Sequence, residues 1–315
     1  DDVEDILYYV LDAYMYHGVP VEFDEIDYDR VSYDSNATAV LLELRGLVSN
    51  WRQTAERLKA AAAQSAAEPQ LILMLDKSTQ SFPWESLPIL RARAVARLPS
   101  WTLLRDQLLA NTSTTLQPAR TSFVLNPGGD LAHTQTLLGP MLKRMGWQGI
   151  VGRAPLEPEL RTRLQTDDTV LYFGHGGAEQ YIRGGAVRKL DRCAVTLLMG
   201  CSSGHLAPAG EFEPTGTALN YLMAGCPAVV ANLWDVTDKD IDRFSLAMLD
   251  RWGLLPASAG VRTSATRCAT RGTLPSLASA VAASRDACTL PYLVGAAPVV
   301  YGLPHMTMLP SRRPV

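Results

Sequence analysis

The sequence is short of cysteine. Five occur in 315 residues (Cys193, Cys201, Cys226, Cys268 and Cys288), an odd number without a C-x-x-C pair. That argues against a disulfide framework and against a thiolate-held metal, and it suits a reducing compartment. Long apolar runs are lacking too. Nothing approaches the roughly 18 apolar residues of a membrane span, and no charged-then-apolar leader opens the chain. A water-soluble intracellular protein without membrane contact is the expectation. Positive charge is not in excess, since 29 Lys and Arg face 32 Asp and Glu for a net charge of −3, which leaves no basic footprint for nucleic acid. An initiator Met is missing as well: the chain opens Asp1-Asp2-Val3, which predicts a piece of something longer.

What is present is 47% hydrophobic and 19% charged sequence, enough to bury a core in one large domain or two smaller ones. Ile6, Leu7, Val10, Leu11, Tyr14 and Met15 fall at helical spacing, and Ala37 to about Ala67 is rich in strong helix formers. Residues 1–67 therefore read as an N-terminal helical segment supporting the larger domain C-terminal to it. From residue 68 strands and helices alternate: apolar runs at 71–75, 94–98, 122–125, 148–152, 170–173, 195–199 and 228–232, with helical stretches at 131–145 and 216–224, a loop at 234–242 entering a helix that carries Ile241, Phe244, Met248, Leu249 and Trp252, and a helix near 276–290. This alternation predicts an α/β fold, a parallel or mixed sheet with helices on both faces. Residues 111–120 and 256–275 are polar and breaker-rich and read as exposed loops.

The chain is organised around residues 168–204. Two buried-strand patterns there each end in glycine followed by a reactive side chain: Val170–Phe173 reaches Gly174 and His175, and Val195–Met199 reaches Gly200 and Cys201. In open α/β sheets chemistry collects at the carboxyl ends of strands, so parallel neighbours would bring Cys201 and His175 out at one edge. The chemical logic is that a thiolate is the nucleophile, and a free thiol with pKa ~8.5 supplies little of it at neutral pH. A neighbouring imidazole raises that fraction and later protonates the leaving amine. The glycines around His175 let backbone N–H groups turn toward a developing oxyanion, with Gly176 N–H and Cys201 N–H the candidates.

These residues carry a resemblance. GHGG closing one strand and MGCSSG closing the next are similar to the catalytic motifs of the separases, clan CD cysteine proteases that cleave cohesin. The likeness continues through YLMAGCPAVVANLWDVTDKDID (221–242) and YLVGAAPVVYGLP (292–304), and in outline covers residues 68–304. Pro83, Trp84, Glu85 and Leu87 match a Pro-hydrophobic-Glu-x-Leu element near the start of such domains. The caspase Q-A-C-x-G signature is absent, so the likeness is to separases rather than caspases proper. It implies a caspase-like mixed, mostly parallel sheet over 68–315, and an endopeptidase with Cys201 as nucleophile and His175 as general base and acid. It also implies cleavage after Arg in the kleisin subunit of cohesin, securin as inhibitory partner, no cofactor, no direct nucleic-acid contact, and residence in nucleus and cytoplasm. A substrate guanidinium needs a carboxylate beside the cleft. In WDVTDKDID, Asp242 is the first choice for that role and Asp238 the second, while Asp240, in the first turn after a Thr237 cap, reads as structural.

Two rival readings use the same residues. GCSSG also fits G-x-S-x-G, which would make Ser202 the nucleophile of an α/β-hydrolase with Asp235 or Asp242 and His305, and leave His175 idle. His205 could line either site. A non-catalytic nucleotide-binding module would use GHGG or NPGG as phosphate loops, although neither fits G-x-G-x-x-G or the P-loop pattern.

Overall fold

The computed structural model describes residues 70–110, 113–255 and 274–309, all within the second of the two units into which the chain divides, residues 69–315. The helices expected at 1–17 and 37–67, the loop expected at 256–275 for all but its last two positions, and Cys268 lie outside the described residues.

Eight strands form one sheet in the order β1 (Gln70–Leu73), β2 (Ala94–Arg97), β11 (Pro298–Gly302), β10 (Ala228–Asn232), β7 (Val195–Leu198), β6 (Thr169–Phe173), β4 (Thr121–Leu125), β5 (Gln148–Val151). The last five run parallel to one another, β1, β2 and β11 likewise, and one antiparallel seam between β10 and β11 joins the two sets. This is the mixed, mostly parallel sheet that the alternation and the resemblance implied.

The strands are buried on both faces, and period-two geometry sorts their side chains into two layers. Phe123, Leu125, Leu171, Phe173 and Leu197 pack on one side, with Leu138 and Leu142 of α2 (Ala132–Arg144), Phe244 and Met248 of α6 (Asp238–Arg251) and Leu277 and Val281 of α7 (Leu277–Ser284). Val124, Val170, Tyr172 and Leu198 pack on the other, with Leu160 and Leu164 of α3 (Glu157–Thr166) and Ala218 and Leu222 of α5 (Thr217–Met223). The described residues hold two further helices, α1 (Trp101–Ala110) and the short α4 (Gly184–Val187). No described helix is long and apolar enough to cross a membrane.

Beyond the seam, Arg97 at the end of β2 is 1% exposed and is bound bidentately by Glu85 of the 3-10 turn Trp84–Ser86, Nε to Oε1 at 2.6 Å and Nη2 to Oε2 at 2.7 Å. It donates further to the carbonyls of Gln80 and Phe82. The Pro83-Trp84-Glu85-x-Leu87 element thus delivers a buried counter-ion to β2.

Two expectations are corrected, and one element was not foreseen. Residues 111–120 are not wholly loop: Thr115–Leu116 is a short strand, β3, paired in parallel with β12 (Thr307–Met308), and Pro118–Arg120 is a 3-10 turn. The closing helix ends at Ser284 rather than near 290. A 3-10 turn, Arg285–Ala287, succeeds it, and the buried Arg285 donates to Gly295 O at 2.8 Å. Gly295 lies so close that a Cβ there would sit 2.3 Å from Arg285 O, so the returning chain occupies the path of another helical turn. The hairpin β8 (Ala207–Ala209) and β9 (Phe212–Thr215) had no expected counterpart, its pattern being exposed and interrupted by Pro208 and Pro214.

Candidate active site

β6 and β7 pair in register from Thr169↔Val195 to Tyr172↔Leu198. Three residues beyond that last pair the register reaches His175 on one chain and Cys201 on the other, so both emerge at the carboxyl edge of the sheet. Their turns are in close contact because Gly200 allows it: a Cβ there would lie 2.2 Å from Gly176 O and 2.3 Å from Gly174 O. Gly176 itself has φ +61°, in the left-handed region.

Each turn is braced by side chains from its surroundings. Tyr172 Oη donates to His175 O at 2.8 Å, and Gln180 Nε2 donates to the same carbonyl at 3.1 Å. Gly177 N–H is taken by Glu179 Oε2 at 2.7 Å, and the other Glu179 oxygen accepts from Thr217. Under the cysteine turn, Ser203 Oγ donates to Leu198 O at 2.7 Å, and Asn232 Nδ2, fully buried at the end of β10, donates to Gly200 O at 3.0 Å. The Cys201 thiol points to Val236 O at 3.3 Å and is part-exposed. Neither Gly176 N–H nor Cys201 N–H donates to an acceptor among the described residues. The other described cysteines are buried, and burial pushes the thiol of Cys288 up to about 12.

His175 Nε2 lies 2.8 Å from Asp130 Oδ2. The hydrogen bond from this imidazole holds the Asp130 carboxyl below the usual carboxylate range.

His175, Cys201, Asp238 and Asp242 all line one small open cleft, floored by apolar groups such as Phe173, Met199 and Ile241. Asp242 is 2% exposed, more deeply placed than its position on the margin of the apolar stripe of α6 suggested. Burial raises its pKa to about 6, the hydroxyl of Thr134 (2.8 Å) opposes that rise, and the charge of Asp238 adds to it. Asp238 is exposed at the rim. Asp240 is structural, as expected, by a different contact: its carboxylate accepts the N–H groups of Thr289 (3.0 Å) and Leu290 (2.9 Å) and pairs with Arg243. Burial works to raise its pKa, but those donors win and the net shift is downward. Thr237 occupies the N-cap position without a side-chain cap bond.

The rival constellations do not assemble. Ser202, with φ +52°, donates to Asp235 Oδ1 at 2.6 Å and meets no imidazole, and neither Ser202, His305 nor His205 lines the cleft. In NPGGD, Gly129 N–H and Leu131 N–H are spent on Asn126 O and Asn126 Oδ1, so the turn closes on itself rather than on a phosphate. Among the described residues no group of three metal-ligating side chains occurs. The sequence reading missed Asp130, Thr134 and Asn232. Asp130 had a usable signal, a carboxylate just past a buried strand at the sheet edge where His175 and Cys201 emerge.

Residues 1–241 match the family model described as separin, protease domain. The chain is 43% identical over 307 residues to separin of Schizosaccharomyces pombe, covering 96% of this chain and 15% of that protein. It is 40% identical over 264 residues to separin of Mus musculus, covering 81% of this chain and 12% of that one. Among solved structures, the Saccharomyces cerevisiae separase-securin complex superposes with a TM-score of 0.69 at 35% identity, over 97% of this chain and 19% of that one.

Proposed function

Because the chain belongs to the separin protease-domain family, we propose that it is the cysteine endopeptidase domain of a separase and that Cys201 and His175 carry its chemistry. The observation that supports this reading most is the register, in which His175 and Cys201 follow the ends of adjacent parallel strands at matching positions and both line one cleft. The Cys201 proton passes to His175, and the thiolate sulfur bonds to the carbonyl carbon of the scissile peptide. The oxyanion so formed lies toward the N–H groups of Gly176 and Cys201, which have no acceptor of their own among the described residues. His175 returns its proton to the amine as the C–N bond breaks, leaving a thioester that water hydrolyses.

Asp242 at the base of the cleft receives an arginine on the acyl side of the scissile bond, with Asp238 at the mouth as the second acid. The kleisin subunit of cohesin is the substrate and securin the inhibitory partner, in nucleus and cytoplasm. The securin assignment draws support from the solved relative, which is a complex with securin.

Cys201→Ser should abolish cleavage of an Arg peptide while leaving the fold intact, and His175→Ala should lose a comparable amount, at least ~100-fold for an acid–base group. The double variant should lose little more than either alone, because the two act as a unit. Cleavage near wild type in Cys201→Ser, with loss in Ser202→Ala, would instead establish the serine hydrolase.

A further inference from the structure

The sheet order contains more than a dyad. β7, β6 and β4 are adjacent and parallel, and past their carboxyl ends stand Cys201, His175 and Asp130 in that order. We infer that Asp130 is a positioning residue for His175: it holds the imidazole through Nε2, so that Nδ1 is the nitrogen that takes and returns the Cys201 proton. A neutral imidazole carries one N–H and one lone pair, and which nitrogen bears the hydrogen is set by the bond the other makes. With Nε2 at 2.8 Å from Asp130 Oδ2, the hydrogen sits on Nε2 and the lone pair on Nδ1.

The loop that presents Asp130 is built for it. Asn126, with φ +52°, accepts Leu131 N–H on Oδ1 at 2.8 Å, anchors its own amide nitrogen to Gln135 Oε1 at 2.8 Å, and takes Gly129 N–H on its carbonyl at 3.1 Å. A Cβ on Gly128 would lie 2.9 Å from Asp130 Oδ1, so glycine there lets the carboxylate lie against the turn. β4 itself is buried along its whole length and fixed to β6 by five register pairs. The other ionisable groups lining the same cleft are Cys201 from the β7 turn and Asp238 and Asp242 from α6, while Glu179 lies on the histidine's own loop. Glu179 is held by Gly177 and Thr217, and Asp242 by Thr134, which leaves Asp130 as the carboxylate that meets His175.

The role rests on the protease reading, so its test includes a readout that does not. Steady-state cleavage of an Arg peptide by the full chain should show kcat down about 10- to 100-fold in Asp130→Ala, with KM within about 2-fold, because orientation rather than binding is lost. Asp130→Asn should stay within about 5-fold of wild type, since its amide oxygen can rotate to accept the same hydrogen and preserve the tautomer. Nitrogen-15 spectra of labelled histidine in a Cys201→Ser background should place the neutral His175 hydrogen on Nε2, and Asp130→Ala should scramble it between the two nitrogens. Wild-type kcat in Asp130→Ala, a tautomer unaffected by that change, or Asp130→Asn as slow as Asp130→Ala would each overturn the inference. Failure of the protease reading would show itself separately, as cleavage that survives Cys201→Ser, and the spectra would still decide for or against Asp130.

Discussion

On the β2 side of the antiparallel seam, Arg97 and Glu85 have side chains 2% and 3% exposed and meet through two contacts. On the β6 side, His175 and Asp130 are 58% and 60% exposed and meet through one. The two pairs flank one sheet and serve opposite ends. A buried guanidinium must be matched donor for donor, because any unpaired polar atom costs its full desolvation. On the protease reading, His175 must instead change charge without unfolding its surroundings, and solvent at the cleft mouth would allow that. Asp240 and Asp242 repeat the contrast within two residues of one helix. The first is fixed as a carboxylate by backbone donors, and the second is buried with one hydroxyl and pushed toward its neutral form.

The contrast should break most visibly at Glu85. Glu85→Ala leaves Arg97 buried without its counter-ion, and beside it Arg285, whose pKa burial already lowers to about 10 with Glu85 opposing that fall. Loss of one partner of such a pair costs ~3–5 kcal/mol, to be read as a drop in the urea midpoint. A midpoint shift under a few tenths of a molar would show that the pair contributes nothing net.

Asp242→Asn comes next. If the acid receives the substrate arginine, removing it strands a partly desolvated guanidinium at ~2–5 kcal/mol, or roughly 30-fold to several thousand-fold in kcat/KM for Arg peptides. Alkylation of Cys201 by a small reagent should keep its wild-type rate. Normal Arg cleavage by this variant would move the specificity site elsewhere, and loss in Asp238→Asn alone would move it to the rim.

The smallest effect concerns pH and sharpens the same point. The folded pKa of Asp242, about 6, lies above the unfolded value of 3.8, so the folded protein binds the extra proton between those limits. Stability should therefore fall as pH rises from 4 to about 6 and level off above, a loss on the order of 2–3 kcal/mol. Asp242→Asn should erase that slope and be the more stable protein at neutral pH, at the expense of Arg cleavage. In the wild type, KM for an Arg peptide should rise as pH falls through about 6, since the neutral acid pairs poorly with a guanidinium; a KM flat from pH 5 to 7 would contradict this. The groups facing the acid are Thr134, Asp238 and His133.

Much of this site was legible because the signals are local. Apolar runs ending in Gly174 and Gly200 mark strand ends, and His175 and Cys201 come directly after them. Asp242 was reachable too, as one of four acids entering a helix after a strand. Asp130 carried a weaker signal, a carboxylate just past a buried strand, because its relation to His175 is set by β4 lying beside β6, and strand order is not written in any single window. The seam escaped for a similar reason. PVVYG has the composition of any buried strand, and nothing in five apolar or small residues states their direction. Glu85 could be matched as a motif position, yet its counter-ion Arg97 lies in an apolar strand where a lone arginine reads as an edge residue.

The position of β11 also orders events in time. It lies between β2 and β10, pairing Tyr301 with Arg97 on one flank and Val229 on the other. β1 and β2, among the earliest described strands to be synthesised, thus have no direct partner in the five-stranded parallel set and join it only through a strand near the far end of the chain. Such distant pairings are slow to form. A nascent chain stopped short of residue 298 could assemble the parallel strands that carry Cys201, His175 and Asp130 but would have to hold β2, with its arginine, in waiting. Synthesis of β11, rather than formation of the cleft, is then the step that closes the sheet, and a chaperone would be needed longest at the edge of β10.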